Sequence, residues 1–175
     1  MAKTISFSLS SASIRKARDE LEAYRKSVPA KTDEVCKRIA ERIRSYAQEG
    51  FASAVSGTAI NRPDTPASVD VTVEVRGNSI YAVVASGEDA VWAEFGAGVY
   101  YNGSAGTSPH PKGTELGYVI GGYGKGRGTR QVWGYFDENG KLVLTRGTPA
   151  SMPLYNALVR ARSEIESIAR EVFSR

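Results

Sequence analysis

Val69-Asp70-Val71-Thr72-Val73-Glu74-Val75-Arg76-Gly77-Asn78-Ser79-Ile80-Tyr81-Ala82-Val83-Val84-Ala85 is the stretch that decides the fold class. Its four leading valines alternate with Asp70, Thr72, Glu74 and Arg76. A strand of period two therefore turns the valines to one face, and that face must be covered. Gly77-Asn78 supplies a turn that tolerates positive φ. The more continuously apolar Ile80 to Ala85 then returns as a second, more deeply placed strand. The sequence on both flanks is helical in period, so the chain reads as α+β.

Upstream, Ile14, Ala17, Leu21, Tyr24 and Val28 are spaced three or four apart and share one helical stripe, while Arg15, Lys16, Asp19, Glu22 and Lys26 face away. Pro29 is expected to stop or bend this helix. Thr32 or Asp33 can cap a second one, with Val35, Cys36, Ile39, Ile43, Tyr46, Ala47 and Phe51 on its stripe. Ahead of both, Thr4 to Ser10 alternates apolar and polar, as a short opening strand does. Gly57 to Ser68 carries two prolines and no sustained period, and reads as a connector.

Downstream, Glu88 to Phe95 reads as a short helix burying Val91, Trp92 and Phe95 together, ended by Gly96-Ala97-Gly98. Val132 to Phe136, the turn Asp137 to Gly140, and Lys141 to Thr145 form a second hairpin. A final helix opens at Pro153, and its stripe, Leu154, Ala157, Leu158, Ala161, Ile165, Ile168, Ala169, Val172 and Phe173, is long enough to cover the valine face. The expectation is one domain over residues 1–175: an antiparallel sheet of about four or five strands, in two hairpins, packed on two or three long helices. Within it, 1–28 is an N-terminal extension with an amphipathic helix, 29–98 and 129–175 form the α+β core, and 99–130 is an extended interaction loop.

Composition bounds the chemistry. With 175 residues, 41% apolar and 24% charged, the chain can build one core without staples. The net charge of +4 is unevenly placed, since Lys112, Lys125, Arg127 and Arg130 gather in the loop against Glu115 alone. Cys36 is the single cysteine and His110 the single histidine, too few for a disulfide or a Cys/His metal site. Cys36 reads as a small buried hydrophobe on its helix stripe. No apolar run approaches a membrane span and the N-terminus lacks a signal peptide's apolar region, so no membrane is expected and synthesis is placed in a reducing cytoplasm.

No cofactor is expected. Gly121 to Gly128 lacks the order of a phosphate-binding loop, with no strand leading in and no helix at its exit. Glu94, between apolar flanks, is a catalytic carboxylate only if a second group joins it, and otherwise holds the loop through a salt bridge or hydrogen bond. His110 lies between Pro109 and Pro111 with no nucleophile motif nearby. A hydrolase built on these two would need them to converge in a pocket, and no enzyme is expected. Tyr100, Tyr101, Tyr118 and Tyr123, interleaved with glycine, Lys125, Arg127 and Arg130, suit nonspecific nucleic-acid contact, which is the alternative function.

Two motifs carry a resemblance. Trp92-Ala93-Glu94-Phe95-Gly96-Ala97-Gly98, then a Gly/Pro-rich insert with His110-Pro111, a hairpin bearing Trp133, and Thr145-Arg146-Gly147-Thr148-Pro149-Ala150-Ser151-Met152-Pro153-Leu154 before a terminal helix resemble the small neck and tail-completion proteins of long-tailed double-stranded DNA phages, also called minor tail components or virion-morphogenesis proteins. The likeness covers residues 30 to 175. It departs from the commoner pattern at Ser151 and Met152, where Arg-Pro is usual. The resemblance implies a virion protein of the neck, made in the host cytoplasm. Such a protein forms a homo-oligomeric ring that joins head-completion or adaptor proteins to tail terminator or tail tube proteins, with double-stranded DNA passing through the lumen. On that reading the interface residues are Trp92, Glu94, Phe95, Tyr100, Tyr101, Tyr118, Tyr123, Lys125, Arg127, Arg130, Trp133 and Arg146.

Overall fold

A helix of 42 residues, α1 (Ser11–Ala52), runs where the sequence predicts two. It belongs to a computed structural model that describes residues 6–57, 59–61, 63–96, 110–113, 115–116 and 132–174. After α1 come β1 (Val55–Gly57), β2 (Thr65–Pro66), β3 (Asp70–Gly77), β4 (Ile80–Ser86), α2 (Ala90–Phe95), β5 (Trp133–Phe136), β6 (Leu142–Thr145) and α3 (Pro153–Phe173). The chain is α+β, as its periodicities imply.

Pro29 lies inside α1 and does not stop it. A proline within a helix costs about 3 kcal/mol and frees the carbonyl one turn back, here that of Arg25. Both residues are exposed, so water can satisfy that carbonyl. The pairs Glu22–Lys26 and Glu34–Arg38, each four residues apart, support the helix on either side. The cap expected at Thr32 or Asp33 is not needed; Ser10 caps the whole rod, its Oγ accepting the Ser13 N–H at 3.3 Å. Residues 6–10 form no strand, and Phe7 and Leu9 are 61% and 93% exposed. Their alternation has no neighbouring strand to pair with among the described residues.

α3 lies antiparallel along α1. Its first residue, Pro153, sits so close to Gly50 that a Cβ there would lie 2.9 Å from the Pro153 Cβ. Further along, the Tyr46 hydroxyl donates to Glu164 at 2.5 Å, Arg38 pairs with both Glu34 and Glu171, and the Lys31 ammonium lies 5.9 Å from the Phe173 ring. Ala47, Phe51, Ala54, Val71, Ala93 and Ala157 form the buried centre, flanked by Ile43, Tyr46, Val69, Val83, Ala85 and Leu154. Alanines at these crossings let the backbones approach closely.

The β3–β4 hairpin pairs Val71 with Ala85, Val73 with Val83 and Val75 with Tyr81. Its valine face lies chiefly on α1, not on α3 as expected, because α3 spends its own stripe on α1. Val71 is buried, while Val75 near the tip is 71% exposed. Two polar side chains tie hairpin to helix. Gln48 accepts the Val71 N–H through Oε1 at 3.1 Å and donates from Nε2 to the Val69 carbonyl at 3.3 Å. Asp33 accepts the Ser79 N–H and the Tyr81 hydroxyl, both at 3.0 Å. The helix rises about 22 Å between these tethers and the strand about 26 Å, so the two run side by side.

Among the described residues the expected single sheet is instead three separate two-stranded antiparallel sheets, with β1–β2 drawn from residues at the edge of and within what the sequence reads as connector. Side chains take two of the outer strand edges. Gln48 occupies the outer edge of β3 with the hydrogen-bond pattern of a strand. Asn61 does the same for β6, accepting the Leu144 N–H at 3.1 Å and donating to the Leu142 carbonyl at 2.9 Å. The Ile60 N–H donates to the Leu144 carbonyl beside it, and Ala59 bridges to Thr145. Edges filled this way do not recruit the other hairpin.

Two tyrosines report on these tethers. The hydrogen bond to Glu164, then burial, holds the Tyr46 phenol above its ordinary range. Burial, then the bond to Asp33, does the same for Tyr81. A raised folded value means that each tether stabilises the fold fully below the ordinary tyrosine range and is lost as pH climbs through the raised one. Absorbance titration at 295 nm is expected to show a late component, diminished in Tyr46→Phe and again in Tyr81→Phe. A titration curve unchanged by both substitutions would contradict the tethers.

Candidate functional site

The site is the base from which the glycine-rich segment leaves at Gly96 and to which it returns at Val132. α2 precedes it, and the expected burial of Val91, Trp92 and Phe95 is only partly seen. Ala90, Ala93 and Glu94 are the buried residues, Val91 is exposed, and Trp92 and Phe95 are half-buried. The inward face is chosen by Glu94, whose carboxylate has donors waiting inside.

Those donors belong to the first turn of α3. The Leu154 N–H donates to Glu94 Oε2 at 2.8 Å and the Tyr155 N–H to Oε1 at 2.9 Å. A helix start leaves its first N–H groups without partners, and an acid there also meets the positive end of the helix dipole. The residue at the cap position is Met152, which adopts a left-handed conformation (φ 54°, ψ 50°) and has no oxygen to offer. Glu94, 60 residues away in sequence, supplies the cap instead.

His110 completes the node. Its Nε2 lies 3.1 Å from Glu94 Oε1, and its Nδ1 accepts the Lys112 N–H at 3.0 Å. Since Nδ1 is an acceptor, the network assigns the ring proton to Nε2, which donates to the carboxylate. The imidazole is wedged between Phe95, at 4.4 Å between ring centroids, and Tyr155, at 5.3 Å edge-on. Glu94 is 3% and His110 7% exposed.

The backbones close the same joint. The Ala93 carbonyl accepts from the Ser151 N–H at 2.9 Å, the Met152 N–H at 3.2 Å and the Ser151 hydroxyl at 3.2 Å. Gly96 (φ 79°, ψ 155°) lies against Ala150, and Thr148 anchors the approach by donating its hydroxyl to the Ser56 carbonyl at 2.5 Å. The two motifs that carry the resemblance, far apart in sequence, are thus packed directly on one another.

Glu94 and His110 do converge, as a hydrolase would need, but the carboxylate already accepts three hydrogen bonds and both groups are buried among protein atoms. In this arrangement the carboxylate joins α2, His110 and the first turn of α3. No group of three or more metal-ligating side chains occurs among the described residues. Cys36 is half-buried with a free thiol.

Of the expected interface residues, Phe95 anchors His110, Trp92 is half-buried at the same turn, Glu94 is turned fully inward and Arg146 is exposed. Trp133 lies in β5, its side chain outside the described residues, as are Tyr100, Tyr101, Tyr118, Tyr123, Lys125, Arg127 and Arg130 altogether. Sequence reasoning missed Ser151 and Tyr155. The missing capping residue before Pro153 was the available signal, because the N–H groups of α3 had to be satisfied from elsewhere. No helix among the described residues is long and apolar enough to cross a membrane. No family model, curated protein or solved structure matches this chain.

Proposed function

We propose that this chain is a structural protein of the head-tail neck of a long-tailed double-stranded DNA phage. It assembles as a homo-oligomeric ring between head-completion or adaptor proteins and the tail terminator or tail tube, and lets DNA pass. The observation that carries this reading is the joint itself. Glu94 to Gly96 and Thr148 to Tyr155, the motifs of the resemblance, are locked together by buried hydrogen bonds, so the glycine-rich segment departs from a rigid base. His110 pins that segment a second time. On this reading Glu94 and His110 are structural groups and the protein is no enzyme. The segment's tyrosines and its Lys125, Arg127 and Arg130 reach a neighbouring subunit or a partner ring, where ordering them is offset by a large interface.

Deleting residues 100–128 outright would also remove His110 and disturb Glu94. The cleaner test replaces Tyr118, Tyr123, Lys125, Arg127 and Arg130 by alanine, leaving the node intact. Light scattering on this variant, mixed with candidate head-completion and tail-tube proteins, is expected to show an unchanged melting temperature and no entry into a ring that the parent chain joins. A variant that still joins would overturn the role given to the segment. A parent chain that ignores both partners, yet binds DNA as a monomer with affinity falling steeply in salt, would favour the nucleic-acid module.

A further inference from the structure

β4 leaves one side of its hairpin open. The Val71 N–H donates to Gln48, away from β4, so Val71–Ala85, Val73–Val83 and Val75–Tyr81 are the non-hydrogen-bonded pairs of the ladder. The N–H and C=O groups of Tyr81, Val83 and Ala85 therefore point away from β3, and none of them has a partner among the described residues. Gln48 and Asn61 take the edges of β3 and β6, but β4 has no such cover. Ile80 to Ala85 also carries no charge or proline of the kind that blunts a free edge. Beside this edge lies an apolar trough. Arg38 and Arg42 pair with Glu171 and Glu164 along one flank of the α1–α3 contact. At 100° per residue, Ile39 and Ile43 of α1 and Leu158 and Ile165 of α3 lie on the other flank. That flank is the one toward β4, because Ile43, Leu154 and Val83 pack on the same buried centre. Ile39 and Ile43 are half-buried, and Leu158 and Ile165 are 53% and 41% exposed. An unpaired strand edge above an apolar floor is the place of a missing strand.

We infer that residues 4–9 of a second copy add to the outer edge of β4 as a strand. Period two turns Ile5, Phe7 and Leu9 to one face and Thr4, Ser6 and Ser8 to the other. Phe7 and Leu9 are exposed in the single chain, and their segment has no strand to pair with there. With Phe7 opposite Val83, the apolar face meets the floor of the trough and the backbone groups of Phe7 face those of Val83. The Ser8 N–H then points outward and keeps its bond to the Ser13 Oγ at 2.9 Å. The same chain cannot supply this strand. Phe7 reaches at most about 14 Å from Ser11, whereas Val83 lies beyond Asp33, about 33 Å along α1. The donor is therefore another copy. A contact between two unlike surfaces passes from copy to copy, and it closes as a ring when the rotation allows. The inference goes beyond the neck reading and needs none of its partners.

Sedimentation equilibrium of the full chain from about 5 to 200 µM, a range chosen for an interface of one strand, is expected to show self-association. Phe7→Asp combined with Leu9→Asp should raise the dissociation constant at least about tenfold. Circular dichroism and melting temperature should be retained, because both side chains are exposed in the single chain. On a Cys36→Ser background, a mixture of Phe7→Cys chains and Val83→Cys chains should oxidise to mixed dimers, and neither variant alone should crosslink. On association the Val83 N–H should exchange at least about tenfold more slowly, while the Val84 N–H, already paired with Thr72, should not change. A monomer throughout, association indifferent to the two aspartates, or a mixture that yields no mixed dimer would each overturn the proposal. Protection of Val83 that persists in the doubly substituted chain would overturn it in favour of another occupant of the edge.

Discussion

Glu94→Ala is expected to destabilise the chain by about 3 to 5 kcal/mol, the cost of leaving buried donors without their charged acceptor. Three donors lose their partner at once: the Leu154 and Tyr155 N–H groups and His110 Nε2. For a domain of this size the melting temperature should fall by about 6 to 20 °C. Glu94→Gln should cost about 1 to 3 kcal/mol, because one amide oxygen remains to accept while the NH2 faces another donor. His110→Ala should cost less than Glu94→Ala, since the carboxylate keeps both N–H groups of α3. Amide exchange at Leu154 and Tyr155 separates a capping role from a general loss of packing. Those two protons should exchange faster in Glu94→Gln, before the centre of α1 is affected. An unchanged melting temperature in Glu94→Ala would remove the cap from the account and reopen a catalytic role for the pair.

Much of this architecture was legible where it rests on local periodicity. The β3–β4 and β5–β6 hairpins follow from alternation and turn chemistry, and α3 from its stripe and its leading Pro153. The errors share a different cause. Pro29 reads locally as a stop, yet the helix continues, because the freed carbonyl lies where water can reach it and α3 holds the following turns. Gln48 and Asn61, not a further strand, take the outer edges of β3 and β6, and a single amide side chain leaves no period to detect. The contact between Glu94 and His110 belongs to the same class, two residues 16 apart that share no period. Only the cap was half visible. Met152 before Pro153 cannot satisfy a helix start, and Glu94 is the one acid within the apolar turn from Val91 to Phe95.

Gly96→Ala should cost about 2 to 6 kcal/mol, and its two components can be separated. The backbone there, at φ 79° and ψ 155°, lies in a region open essentially to glycine, and any side chain carries about 1 to 3 kcal/mol of strain. The second component is crowding. A Cβ at residue 96 would meet the Ala150 Cβ at 3.1 Å and the Ala150 nitrogen at 3.2 Å. Relieving such an overpacked contact typically returns about 1 to 3 kcal/mol. Ala150→Gly in the Gly96→Ala background should therefore restore only part of the lost stability, because it removes the methyl contact and leaves the dihedral strain and the approach to the residue 150 nitrogen. The joint gives the loss a local signature as well. The Ser151 and Met152 N–H groups that bond to the Ala93 carbonyl should lose protection from exchange together, since a shift at residue 96 pulls α2 away from the start of α3. Full rescue by Ala150→Gly would mean that the left-handed backbone carries no cost, and the glycine would then matter for space alone. Partial rescue would show that the backbone at residue 96, by its dihedrals and its approach to the residue 150 nitrogen, constrains this position beyond the methyl contact.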